Sequence, residues 1–66
     1  MVSHKLSERE IQVLLMVCMD KSAEEISKTL NISTNTVYTH RKNILSKTGS
    51  KNKIGLVKFA LKNGYF

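Results

Sequence analysis

An all-α fold, a compact four-helix domain containing a helix-turn-helix, follows from two observations on this sequence. Ser7, Ser22 and Ser33 each stand where a helix entrance needs a capping hydroxyl, and apolar residues recur at helical intervals behind them. Nothing interrupts the pattern. The 66 residues contain no proline, no internal repeat and no low-complexity tract, so residues 1–66 read as a single domain without a linker.

The first helix is expected near residues 8–19. Ser7 and Glu10 have the spacing of a capping box, and Leu6 and Ile11 stand at the two positions of a hydrophobic staple. Ile11, Leu14, Leu15 and Cys18 give its apolar stripe. Ser22 and Glu25 repeat the box, opening a short second helix near 23–30 marked by Ile26 and Leu30. Ser33 is the third cap, with Ile32 and Val37 as its staple. It opens a helix near 34–48 whose inner side holds Val37, Ile44 and Thr48. Gly49 suits the left-handed residue that closes such a helix. A fourth helix near 52–62 turns Val57, Ala60 and Leu56 inward, and Asn63-Gly64 is its stop.

Only Asn31-Ile32-Ser33 joins the second and third helices, and Asn tolerates the left-handed conformation of so sharp a reversal. Two helices joined this tightly form the pattern in which the second lies in the DNA major groove. At 100° per residue, Asn35, Tyr38, Thr39, Lys42 and Ser46 fall within an arc of about 100°. Val37, Ile44 and Thr48 lie opposite, flanked by His40 and Arg41. Asn pairs with adenine N6/N7, Lys with guanine O6/N7, and Thr or a Tyr ring meets a thymine methyl. Thr34 and Thr36 add hydroxyls beside the free amides of the helix entrance, a setting for phosphate, and Ser22 stands likewise at the second entrance. Singly, each is an ordinary solvated position; as a stripe they are a candidate reading face.

The charge distribution points the same way. The chain carries a net +6. All five acids lie at or before Glu25, beside Lys5, Arg9 and Lys21. From Ile26 onward there are eight cations, Lys47 among them as a further phosphate contact, and no acid. Such a segment attracts polyanions, nucleic acid before an anionic membrane. No apolar run approaches the roughly 20 residues that span a bilayer, and no signal-peptide pattern begins at Met1, so the cytoplasm is the expected location. Cys18 alone makes neither an internal disulfide nor a cysteine zinc site and reads as a small core residue. His4 falls in the terminus. Neither His40 nor the Glu24-Glu25 pair has the partners of a catalytic centre, so no enzyme, metal or cofactor is expected.

Several spacings together are those of a known family. Leu6-Ser7-Glu8-Arg9-Glu10 with Val13-Leu14 resembles L-T-x-R-E-x-x-V-L, and Ser22-Ala23-Glu24-Glu25-Ile26 resembles S-x-x-E-I. Ser33-Thr34-Asn35-Thr36-Val37, His40, Asn43-Ile44 and Lys47 resemble S-x-x-T-V-x-x-H-x-x-N-I-x-x-K, and Gly49, Val57, Ala60 and Gly64 complete the pattern. The chain is thus similar over nearly its whole length to the LuxR/FixJ/NarL-type (GerE-like) helix-turn-helix domain, the C-terminal output domain of bacterial transcription regulators. The resemblance implies sequence-specific binding of double-stranded DNA as a dimer, with base contacts at Asn35, Tyr38, Thr39 and Lys42. It implies a dimer face on the fourth helix, where Ile54, Lys58 and Leu61 form a second stripe. It also implies a piece excised from a longer regulator with an N-terminal receiver or ligand-binding domain, and RNA polymerase as a further partner. Some positions depart from the pattern: Tyr38 replaces a cation, Asp20 a glycine, Ser27 an alanine and Thr48 a buried leucine, which implies looser packing there. Lys53 replaces an arginine and has Glu25 or Glu10 as possible partners. Two other readings stay open, a promoter-binding fourth region of a sigma factor and a helical adaptor using the Ile54/Leu61 face.

Overall fold

The computed structural model describes residues 6–65, and four α-helices account for most of them: α1 (Glu8–Cys18), α2 (Ala23–Leu30), α3 (Thr34–Thr48) and α4 (Lys53–Lys62). The expected all-α fold is observed. The second and third helices have the expected limits; Met19 and Asn52, expected inside helices, are instead the caps of α1 and α4.

Local hydrogen bonds set each entrance. At α1 the Ser7 hydroxyl accepts from the Glu10 amide at 3.1 Å while the Glu10 carboxylate accepts from the Ser7 amide at 2.9 Å. Ser22 and Glu25 form the same reciprocal pair at 3.1 and 2.9 Å. Ser33 Oγ accepts from the Thr36 amide at 3.1 Å. The cap of α4 has no sequence box: Asn52 Oδ1 accepts from the Gly55 amide at 3.1 Å.

The exits share one design. After each helix the chain turns through a left-handed residue, Asp20 (φ 65°), Asn31 (φ 56°), Gly49 (φ 69°) or Gly64 (φ 76°). The next amide then reaches back five residues: Lys21 to Met16 O, Ile32 to Ser27 O, Ser50 to Leu45 O and Tyr65 to Ala60 O, at 2.9–3.1 Å. After α4 this brings the Tyr65 ring to 6.2 Å from that of Phe59.

The central element is α3, which packs against α1, α2 and α4, while α1 also packs against α4. Leu6, Val13, Leu14, Val17, Ile26, Val37, Ile44, Leu56 and Ala60 form the core. The inward face of α1 is a correction to the expected one. Glu10, Val13, Leu14 and Val17 point in, whereas Ile11, Leu15 and Cys18 are half-buried at the flank. The face is turned by about 100° from the expected stripe, the step of one residue.

Glu10 explains the difference. It is buried, and its carboxylate accepts two hydrogen bonds from Lys47 Nζ, at 2.8 and 3.0 Å, besides the Ser7 amide. Burial alone would raise its pKa; the Lys47 and Ser7 bonds outweigh that and hold it below the ordinary 4.5. Lys53 pairs with Asp20, not with either expected acid; the Glu10 carboxylate is held by Lys47 and that of Glu25 by the Ser22 cap. Thr48 does not leave its hydroxyl unmatched at the former leucine position: it donates to Ile44 O at 2.8 Å. Ser27 likewise donates to Glu24 O at 2.8 Å.

Candidate nucleic-acid interface

The site is built on α3, and its back fixes its front. Val37 and Ile44 are fully buried, so the helix cannot rotate without exposing both. With that side anchored, Asn35, Tyr38, Thr39, Lys42 and Ser46 are all exposed along the outer side. Tyr38, at 56% exposure, is one of the few large apolar surfaces left open. His40 and Arg41 are half-buried between the two sides.

The side chains differ in what they have to offer. Thr39 Oγ1 donates to Asn35 O at 3.0 Å, so its proton is spent inside the helix and its lone pairs and methyl face outward. Asn35 and Lys42 have no side-chain partner among the described residues and keep their full hydrogen-bonding capacity. Such a face can accept and donate across a flat polar edge while offering methyl and ring surface.

The flanking residues fall into two groups. Thr34 and Thr36 are half-buried in the first turn of α3, whose opening amides have no partner within the helix. Thr36 Oγ1 lies 2.8 Å from Ser33 Oγ, sharing one proton with the cap. Ser22 is exposed, and its oxygen accepts from Glu25 N, which leaves its hydroxyl proton to give. That end of α2 already holds an anion. The Ser22 backbone and side-chain bonds hold the Glu25 carboxyl below its ordinary range. Lys47 is half-buried with two of its three protons on Glu10. No local signal announces this pairing, since the partners are 37 positions apart. Ile54, Lys58 and Leu61 are exposed on α4.

No group of three or more His, Cys, Asp or Glu side chains arranged to hold a metal occurs among the described residues, and no helix of theirs is long and apolar enough to cross a membrane. Cys18 is half-buried beside the core; burial pushes its thiol up, against the pull of Lys53.

A short capped helix, a three-residue turn and a second helix with a buried back and polar front define a helix-turn-helix domain of DNA-binding regulators. Residues 4–60 match the family described as bacterial regulatory proteins, luxR family. The chain belongs to the luxR family of bacterial DNA-binding transcription regulators, which are not enzymes. It is 39% identical over 62 residues to the transcriptional regulatory protein MctR of Rhizobium johnstonii, covering 94% of this chain and 29% of the relative. It is 37% identical over 59 residues to the response regulator UvrY of Escherichia coli, covering 89% and 27%. To the oxygen regulatory protein NreC of Staphylococcus aureus it is 39% identical over 57 residues, covering 86% and 26%. The chain therefore spans less than a third of the length of these relatives.

Proposed function

We propose that this domain recognises a specific double-stranded DNA sequence by laying α3 in the major groove. Asn35, Tyr38, Thr39 and Lys42 contact base edges; Ser22, Thr34, Thr36 and the third proton of Lys47 contact phosphate. One observation carries the reading: the four base-reading side chains are exposed together on a helix whose opposite side, Val37 and Ile44, is sealed in the core. Eight cations and no acid after Glu25 supply the long-range attraction. Membership of a family of bacterial regulatory proteins and a relative named a transcriptional regulatory protein support a role in transcriptional control, and a receiver or ligand-binding domain in the same cytoplasmic protein is the context we propose for this one.

On paired half-sites two copies meet through Ile54, Lys58 and Leu61. The reading is supported by Ile54 and Leu61, apolar side chains 66% and 62% exposed on one side of α4.

Selection of bound duplexes from a random pool, followed by titration of the best site, tests the proposal. Log K falls linearly with log salt, as counterions leave the phosphates. Asn35→Ala and Lys42→Ala each cost about 1–3 kcal/mol on the selected site and relax its base preference. Lys47→Ala weakens all sequences alike; since it also unpairs Glu10, its folded fraction is measured in the same buffer. Absence of duplex binding at about 50 mM salt, or the same uniform loss for both kinds of substitution, overturns the assignment.

A further inference from the structure

Two of the four side chains on the outer side of α3 have little hydrogen bonding to give. The Thr39 hydroxyl is turned back onto the helix, where Oγ1 donates to Asn35 O at 3.0 Å. No proton is left on it for guanine O6/N7, adenine N7 or thymine O4, the acceptors of a base edge. The other branch at Cβ, a methyl group, is what this exposed residue carries outward. Tyr38 is 56% exposed, and its ring stacks on no other aromatic ring among the described residues. A cation at that position, as in the family pattern, could reach guanine O6/N7; this chain offers ring surface instead.

Their placement is as informative as their chemistry. At 100° and 1.5 Å per residue, Tyr38 and Thr39 stand about 100° apart at nearly one height, on either side of the line from Asn35 to Lys42. Asn35 and Lys42 are about 10 Å apart along the axis, roughly three base steps. We propose that the domain reads the C5-methyl groups of two thymines, one on each DNA strand, through the Tyr38 ring and the Thr39 methyl. The inference rests on α3 lying along the major groove. The two walls of that groove belong to opposite strands, so side chains on opposite sides of the helix axis meet different strands. Thymine alone of the four bases carries a methyl there. Packing on a methyl needs no free proton, and these two positions are where the reading side offers apolar surface. The competing contact is an amino group of adenine or cytosine donating to Thr39 Oγ1 or to the Tyr38 hydroxyl. That contact requires the hydroxyl, whereas the methyl contact does not, so substitutions separate them.

The test uses the unmodified chain and the duplex selected from the random pool. Each thymine of a half-site is replaced in turn by deoxyuridine, which removes the methyl and keeps the base pairing. We expect one thymine on each strand, the two within about two base pairs of each other, to lower affinity about fourfold when replaced. Thr39→Ser keeps the hydroxyl and removes the methyl; it no longer distinguishes thymine from uracil at one of these positions. Thr39→Val keeps a methyl without the hydroxyl and still distinguishes them. At the other position Tyr38→Phe still distinguishes the two bases and Tyr38→Ala does not. All four substitutions fall at exposed positions, and thermal melts check that each variant is folded. A cytosine-guanine pair at a sensitive position weakens binding, and 5-methylcytosine recovers part of the loss.

The inference is overturned if no deoxyuridine changes affinity, or if the sensitive thymines all lie on one strand. It is equally overturned if Thr39→Ser and Tyr38→Ala leave the sensitivity intact, or if Thr39→Val abolishes it as Thr39→Ser does. Duplex binding that ignores the methyls removes this inference alone, whereas absence of duplex binding removes the reading beneath it as well.

Discussion

Glu10 is the one charged residue that the core admits among the described residues, and its position requires an explanation in energy. A buried carboxylate costs several kcal/mol unless it is paired and hydrogen-bonded. Here Lys47 and the Ser7 amide provide three hydrogen bonds, and no buried side-chain polar atom among the described residues lacks a partner. Because the folded pKa is depressed, the unfolded chain takes up the proton first. The associated stability is complete above the unfolded value near 4.5 and drains away as pH falls through the folded value. Glu10→Gln keeps the capping geometry but removes the charge. We expect a loss of about 1–2 kcal/mol at neutral pH, less than a fully buried pair gives because Lys47 is a third exposed. We also expect a shallower decline in acid; Asp20 and Glu25, whose pKa values are likewise lowered, supply what slope remains. Urea melts at neutral and acidic pH check both, and an unchanged acid slope would remove this account. Asp20 poses a different problem, a non-glycine residue held at φ 65°. Asp20→Gly relieves that conformation and gives up the exposed bond to Lys53, so the melting temperature rises. The rise is larger at high salt, where the parent's pair is screened. A lower melting temperature for the glycine variant at every salt would mean that the pair outweighs the backbone.

At the scale of elements, the helix ends were legible and the helix facing was not always so. Ser7/Glu10, Ser22/Glu25 and Ser33 are local signals, and the chemistry that reads them involves residues three apart. The same holds for Asn31 and Gly49 at the exits, so α2 and α3 have the limits expected from sequence. On α3 the apolar side is narrow, and only one facing buries Val37 and Ile44; the candidate reading face was therefore visible too. On α1 seven of the eight residues from Ile11 to Cys18 are apolar, so periodicity alone fits more than one facing. The charged Glu10 argues against the correct one unless Lys47 is known to meet it. Asn52 was missed as a cap because its third residue is Gly55 rather than a glutamate. These facts give α3 a specific weak point. Its first turn hangs on Ser33, which holds the Thr36 amide and touches the Thr36 hydroxyl. Ser33→Ala is expected to cost about 1 kcal/mol of stability. It also frays the turn that presents Asn35, so the Thr36 and Val37 amides exchange faster and affinity for the selected site falls. Unaltered exchange at those amides would show that packing of Val37, not the cap, holds the turn.

The whole molecule separates three tasks on three surfaces. The outer side of α3 offers hydrogen-bonding groups, the interior is closed by side chains from all four helices, and α4 is left with more apolar surface than one inward side requires. Leu56 and Ala60 account for the inward side, while Val57 is half-buried. Ile54 and Leu61 contribute nothing to the core that their exposure of 66% and 62% would permit one to count. A stripe that is dispensable for folding and suited to association must be tested by a change that separates the two. Leu61→Asp adds charge at an exposed site, so the melting temperature of the single domain stays near that of the parent. Its affinity for one half-site also stays, since α3 is untouched. What falls is the cooperative gain on two half-sites, because each copy now carries a desolvation cost into the contact between them. Titrating one- and two-site duplexes in parallel reads the difference directly. Equal cooperativity for parent and variant would remove Ile54, Lys58 and Leu61 from the proposed pairing surface while leaving the proposed reading face of α3 where it stands.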